Sequence, residues 1–126
     1  MSKELQFLND NKFGYLATVD ENNMPRVRGW GIVSADENGI VFGTMNNKRV
    51  YSQLKTNPRA EYIVQTKGFK ILRVNGEITF DDNRDAALSI VEKIPAIKKM
   101  YGDAAETNFE LVYMKNPEFE WFEMHM

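Results

Sequence analysis

The strongest constraint on this chain is the close spacing of its turn signals. Short apolar runs of strand composition are separated by Asp20-Glu21-Asn22-Asn23, Asp36-Glu37-Asn38-Gly39 and Lys67-Gly68, residue clusters that favour tight turns. These signals predict strands over 13–19, 26–35, 40–44, 60–66 and 70–80, with a bulge or bend at Asn75-Gly76. Two further strands fit 109–114 and 119–124, with Asn116-Pro117 between them. Strands joined this closely pair antiparallel, because a parallel crossover needs about a dozen residues or more.

Helical spacing appears in four places. Leu5 and Leu8 suit a short amphipathic helix over 2–9. Val50, Tyr51 and Leu54 suit another over 48–56, capped by Asn46 or Asn47 and stopped by Asn57-Pro58. A third helix is expected over 84–94 with Asp81 or Asp82 as its cap, and Pro95 opens a turn or short helix over 95–101. Hairpin spacing rather than alternating βαβ units points to a mainly β protein, an antiparallel barrel with peripheral helices. No glycine-rich loop opens a helix after a strand. Gly29 and Gly31 lie inside one, which rules against a doubly wound nucleotide fold.

At 126 residues the chain is expected to form a single domain over 1–126. The net charge of −2 gives no reason to expect nucleic-acid binding, which depends on neutralising phosphates. No apolar run approaches the roughly 18 residues of a membrane span, and Met1-Ser2-Lys3-Glu4-Leu5-Gln6 lacks the apolar stretch of a secretory signal. There is no cysteine, which removes disulfides, thiolate metal sites and a thiol nucleophile. The expectation is a soluble cytoplasmic protein with no metal site and no membrane partner.

Two segments could carry chemistry. Along the strand from Arg26 to Val33, side chains alternate, so Arg26, Arg28 and Trp30 share one face and Val27 and Val33 the other. If the valines fill the barrel, the arginines and the tryptophan point outward. Two guanidinium groups beside a flat ring suit a ligand with an anionic end and an aromatic body. The plainer alternative is a solvated edge on which arginine stacks against tryptophan. The second segment is Gly43-Thr44-Met45-Asn46-Asn47-Lys48-Arg49, which ends a strand and opens a helix. Free amides at a helix start favour an anion, with Thr44, Asn47 and Lys48 beside them; simple asparagine capping is the alternative. In a meander both segments can meet around one phosphate.

Paired acids such as Asp36-Glu37 and Asp81-Asp82 read as turn and cap residues, and Glu118, Glu120 and Glu123 as the solvated face of a strand. Arg73 could reach a ligand or pair with a carboxylate.

The run Gly14-Tyr15-Leu16-Ala17-Thr18-Val19-Asp20, followed by Met24-Pro25-Arg26-Val27-Arg28, resembles the opening hairpin of the pyridoxamine 5′-phosphate oxidase-like FMN-binding split-barrel proteins. Val41-Phe42-Gly43-Thr44, then Asn47-Lys48 and Leu54 to Asn57-Pro58, is similar in the same order. The resemblance implies a six- to seven-stranded split β-barrel and a homodimer with one FMN in each interfacial cleft. It implies that Arg26 and Arg28 reach the flavin and its phosphate, with Gly29 and Trp30 near the ring. Gly43 and Thr44 would approach the isoalloxazine, Asn47 and Lys48 would hold the phosphate, and Trp121 would be contributed by the partner subunit. It further implies a flavoprotein, an oxidoreductase acting on a small-molecule substrate or electron donor. A non-catalytic flavin carrier or stress protein is the alternative, as is the same barrel holding heme, a deazaflavin or pyridoxal phosphate. The lone histidine, His125, is one residue from the end of the chain, so no histidine is expected at the cleft.

Overall fold

The computed structural model describes residues 1–81 and 83–123. Six strands, β1 (Phe13–Val19), β2 (Pro25–Asp36), β3 (Gly39–Met45), β4 (Arg59–Gln65), β5 (Lys70–Phe80) and β6 (Phe109–Glu123), close a barrel in the order β1-β2-β3-β6-β5-β4. Every neighbouring pair is antiparallel. Helices α1 (Lys3–Asp10), α2 (Arg49–Thr56), α3 (Arg84–Lys93), α4 (Pro95–Tyr101) and α5 (Ala105–Asn108) lie outside the sheet, with a 3₁₀ turn at Gly102–Ala104 between the last two. No helix among the described residues is long and apolar enough to cross a membrane.

The two strands expected at the C-terminus are one. Between the pairs Asn75↔Glu118 and Glu77↔Lys115, β6 carries Asn116 and Pro117 where β5 carries only Gly76. Asn116 takes a left-handed φ of 51°, so Asn116-Pro117 is a bulge within β6 rather than a turn. A bulge lets a strand keep a proline, whose missing N–H would otherwise leave a gap in the ladder. The irregularity expected at Asn75-Gly76 is thus real, and the extra residue lies on the facing strand.

Inside the barrel Leu16, Ile32, Phe42, Tyr62, Leu72, Val74 and Met114 are buried, with Phe42 and Tyr62 packed edge to face at 5.3 Å. α1 closes one side through Leu5 and Leu8, and its Asn9 both donates to and accepts from the backbone of Ala35 at 2.7 and 3.1 Å. A second apolar cluster, built on Met45, Ala87, Val91, Phe109 and Leu111, fastens α3 to the outer face of β3 and β6. α3 is capped by Asn83, whose side chain accepts from the Ala86 amide at 3.1 Å. Asp81, one of the two expected caps, accepts from the Asn83 amide one turn earlier, and Asp82 lies outside the described residues.

β1 and β2 pair along their whole overlap, from Phe13↔Gly31 to Val19↔Pro25. β2 and β3 pair only from Ile32↔Phe42 to Asp36↔Gly39, with a register shift at Val33. Residues 25–31 of β2 and 43–45 of β3 therefore face one another without a ladder between them. The barrel is split there. Ahead of the split, β2 is anchored on its β1 side, where buried backbone groups have partners. The Tyr62 hydroxyl donates to the Trp30 carbonyl at 2.9 Å, and the Ile32 amide donates to the Lys12 carbonyl at 2.9 Å. Burial pushes the Tyr62 phenol well above its ordinary pKa, which keeps it a donor. Gly14 makes room for it, because a Cβ at that position would collide with the Ile63 carbonyl and the Tyr62 ring.

Replacing Tyr62 with Phe keeps the ring and removes this bond to the Trp30 carbonyl, which retains its place opposite Gly14 in the β1–β2 ladder. Urea unfolding is expected to lose about 0.5–1.5 kcal/mol. Unchanged stability would show that β2 does not depend on this bond.

Candidate functional site

The bulge at Val33 sets which side chains of β2 enter the barrel. Ile32 is buried, and the residues in phase with it, Trp30 and Arg28, are partly buried, whereas Val27, Gly29 and Gly31 are exposed. This reverses the facing expected from the sequence. Val27, 67% exposed, lies outside, and Arg28 and Trp30 point inward. The alternation itself holds. The phase is set by Ile32, and Val33 sits at the bulge, so neither valine fills the core.

Arg28 reaches across the end of β1 and under α2. Its Nη1 donates to Thr18 Oγ1 at 2.7 Å and the Leu16 carbonyl at 3.2 Å, and its Nη2 donates to Gln53 Oε1 at 3.0 Å. Thr18 in turn donates to the same Gln53 oxygen at 2.7 Å. Among the described residues no carboxylate lies within ion-pair distance of Arg28. Burial first, then the charge of Arg26, pulls its pKa below the ordinary value, yet a guanidinium stays charged. A half-buried cation with only neutral partners is unfinished electrostatics.

Arg26 differs. Its Nε donates to Asp20 Oδ2 at 2.9 Å, so its charge is answered within the turn that joins β1 to β2. Asp20 also accepts from the amides of Asn22 at 2.9 Å and Met24 at 3.0 Å. The Met24 amide first, then Arg26, holds the Asp20 carboxyl below its usual range. Beside this turn is a polar hollow of about 320 Å³ lined by Asp20, Arg26, Arg49, Ser52 and Gln53. Gln53 joins the Arg28 network to the wall of this hollow.

Further along the same strand the surroundings become apolar. A cleft of about 380 Å³ opens where β2 and β3 part, lined by Gly29, Trp30, Gly31 and Gly43 on the sheet side and by Ile97 and Met100 of α4 opposite. Among the described residues no charged side chain lines it. The Trp30 indole N–H, on the inward side of β2, is buried and has no hydrogen-bond partner among them. Gly29 and Gly31 floor it. Neither has a left-handed φ, and a Cβ on either would meet nothing nearer than 3.5 Å. The chain's own packing does not require these two glycines. Gly43 is different, because a Cβ there would strike the Phe109 ring.

Of the residues singled out from the sequence, Gly29, Trp30 and Gly43 line the apolar cleft and Arg26 the polar hollow, two separate sites, while Arg28 lines neither and reaches the hollow only through Gln53. Thr44 is buried on the inward face of β3, opposite Glu110. Asn47 and Lys48 are exposed just before α2. The cap position of that helix is Lys48, with no side-chain cap bond, not Asn46 or Asn47. Asn46 instead accepts from Asn108 at 2.9 Å. Trp121 lines neither hollow; its indole N–H donates to Glu4 at 2.8 Å and its ring packs against Phe7. Arg73 pairs with Glu61 at 2.7 Å and Glu120 at 2.9 Å. His125 lies outside the described residues.

Sequence reasoning missed Gln53, Thr18, Arg49 and the α4 wall. Gln53 had a signal, since it falls on the buried face of α2 between Val50 and Leu54, where an amide needs a reason to be. The α4 wall had none, because its place over β2 is a long-range event.

The family model described as pyridoxamine 5′-phosphate oxidase matches residues 2–126. A curated pyridoxine/pyridoxamine 5′-phosphate oxidase from Pelagibacter ubique is 34% identical over 80 residues, which is 63% of this chain and 38% of that protein. The matched stretch thus spans well under half of the curated relative. A crystal structure of a nimc/nima family protein from Clostridium acetobutylicum superposes with a TM-score of 0.81 at 30% identity, covering 97% of this chain and 84% of the other. A pyridoxamine 5′-phosphate oxidase-related, FMN-binding protein from Nostoc punctiforme gives 0.69 at 17% identity over 98% and 91%, a likeness of fold alone.

The depressed Asp20 carboxyl stabilises the fold above its unfolded pKa of about 3.9, and that contribution is lost as pH falls through its lower folded value. Asp20→Asn is therefore expected to be less stable than the parent at pH 7, with the two converging below about pH 4. Parallel stability–pH curves would show that the turn does not hold Arg26 through this charge.

Proposed function

Because the chain belongs to the pyridoxamine 5′-phosphate oxidase family, we propose that it is an FMN-binding flavoprotein and an oxidoreductase acting on a small substrate. The observation that carries this reading is a pair of sites of opposite chemistry along β2. Near one, Arg28 is half-buried with no carboxylate; the other is an uncharged cleft floored by glycine. A ligand that answers both has an anionic head and a flat heteroaromatic body, which is the outline of FMN.

In this reading Arg28 binds the phosphate together with Arg26, and Lys48 and Asn47 approach it from the open start of α2, where free amides favour an anion. The ring lies on Gly29 and Gly31, where the absent side chains let it rest on the backbone. Gly43 borders it from β3, whereas Thr44 and the Trp30 indole lie behind the sheet on its inward face. The bound flavin supplies the electron or hydride transfer, and the protein supplies position and electrostatics. With no cysteine, nothing in the fold needs an oxidising compartment, and the cytoplasm is our assignment.

The outer face of β1 and β2 supports a homodimer that closes the cleft. Phe13, Tyr15, Met24 and Val27 are exposed there, with Phe13 75% open and also lining the cleft. An apolar surface on a twisted sheet beside a ligand cleft is what a second copy would cover. The aromatic C-terminal strand remains our candidate for the partner's contribution, although Trp121 is already held by Glu4 and Phe7 of its own chain.

One observation favours a second reading, a flavin-holding protein that does not turn over. The only titratable side chain lining the cleft among the described residues is Tyr101. Reduction by NADH or NADPH in stopped flow separates the two. A bound flavin that neither donor reduces selects the carrier.

Titration with FMN is expected to give saturable flavin absorbance changes. Arg28→Ala should weaken FMN by about tenfold to a hundredfold, the value of one charge-assisted contact of about 1.5–3 kcal/mol. Riboflavin, which lacks the phosphate, should be indifferent to that substitution. Equal losses for both ligands would show that Arg28 does not hold the phosphate. Val27→Asp, on the exposed face, is expected to shift the dimer to monomer in light scattering with the barrel intact, and a monomeric parent would remove the dimer from the proposal.

A further inference from the structure

The wall opposite the glycine floor has a chemistry of its own. α4 runs Pro95–Tyr101 and buries no residue against the barrel. Its Ile97, Met100 and Tyr101 border the cleft, while Lys98 and Lys99 border a separate hollow on the far side. Lys98 is engaged there, donating to Glu106 at 2.7 Å. The helix thus presents a cationic face away from the site and an apolar face towards it. Ile97 and Tyr101 rest partly on the second apolar cluster, and Met100, 71% exposed although it lines the cleft, is the open part of this face.

The lining contains no acid and no base that could answer a charged ligand. A phosphate or carboxylate entering between α4 and the floor would lose hydration and gain no counter-charge, a net cost that an uncharged ring does not bear. The nearby cations, Arg26, Arg28 and Arg49, belong to the separate polar hollow and its Gln53 network, where the flavin reading already uses two of them.

We propose that α4 is the specificity wall for the second ligand of this site. That ligand is an uncharged, flat, largely apolar ring of the quinone class, not a phosphorylated metabolite. It lies between the flavin ring and the Ile97–Met100–Tyr101 face. The proposal rests on the flavin reading, because the flavin supplies the surface against which the ring stacks.

The test is calorimetric titration of the FMN-loaded protein with menadione, a neutral naphthoquinone, and separately with pyridoxamine 5′-phosphate. Menadione is expected to saturate and pyridoxamine 5′-phosphate to bind at least about tenfold more weakly. Met100→Glu places a carboxylate in the wall at an exposed position and should weaken menadione about tenfold or more while FMN affinity holds. Lys99→Met, on the opposite face of the same helix, should leave both affinities as they are. Failure of the protein to bind FMN would sink the flavin reading. FMN binding without menadione saturation would overturn the proposal for α4 and leave that reading standing. So would menadione affinity indifferent to Met100→Glu, or tighter binding of pyridoxamine 5′-phosphate.

Discussion

The molecule depends on a backbone ladder that stops early. A closed barrel satisfies its amides and carbonyls by pairing every strand on both sides, and β2 does so only from Ile32 onward. Before that point it is held from the β1 side alone, by its ladder with β1, by the Lys12 carbonyl on the Ile32 amide and by Tyr62 on the Trp30 carbonyl. The bulge at Val33 turns the strand at the same place and decides which residues look inward. Gly14 belongs to this arrangement because Tyr62 needs its space. The split is where the sheet can meet a ligand with both its backbone and its side chains.

Electrostatics then separate the residues of β2. Two arginines two positions apart on one strand have different fates because one carboxylate is near only one of them. Asp20, fixed by two amides of its own turn, neutralises Arg26. Arg28 is left with a hydroxyl, two carbonyls and an amide oxygen, groups that orient a guanidinium without cancelling it. Gln53 is the hinge of this design, since its oxygen accepts from both Thr18 and Arg28 while its helix covers the barrel end. The cleft over Gly29 and Gly31 carries no charged side chain among the described residues.

The fold was largely legible in the residues. Turn clusters at Asp20–Asn23 and Asp36–Gly39 require hairpins, Asn57-Pro58 ends a helix, and each of these falls where local chemistry put it. Local chemistry misjudged Asn116-Pro117, because a turn and a bulge use the same residues and differ only in whether β5 continues alongside. It also misjudged the cap of α2. Asn46 is a good cap by propensity but is drawn away by Asn108, sixty-two positions later in the chain.

By itself, then, the sequence determined the first five strands, the antiparallel pairing, the first four helices and the presence of two arginines and two glycines on one strand. These follow from backbone sterics and from patterns only a few residues long. It could not determine the phase of β2, since alternation tells which residues share a face but not which face is inside. Tertiary structure decided that through Ile32 and the Val33 bulge. It also decided that Asp20 answers Arg26 alone and that the uncharged face of α4 comes to lie over Gly29 and Gly31. Each of those outcomes is a contact between segments whose meeting no local pattern encodes.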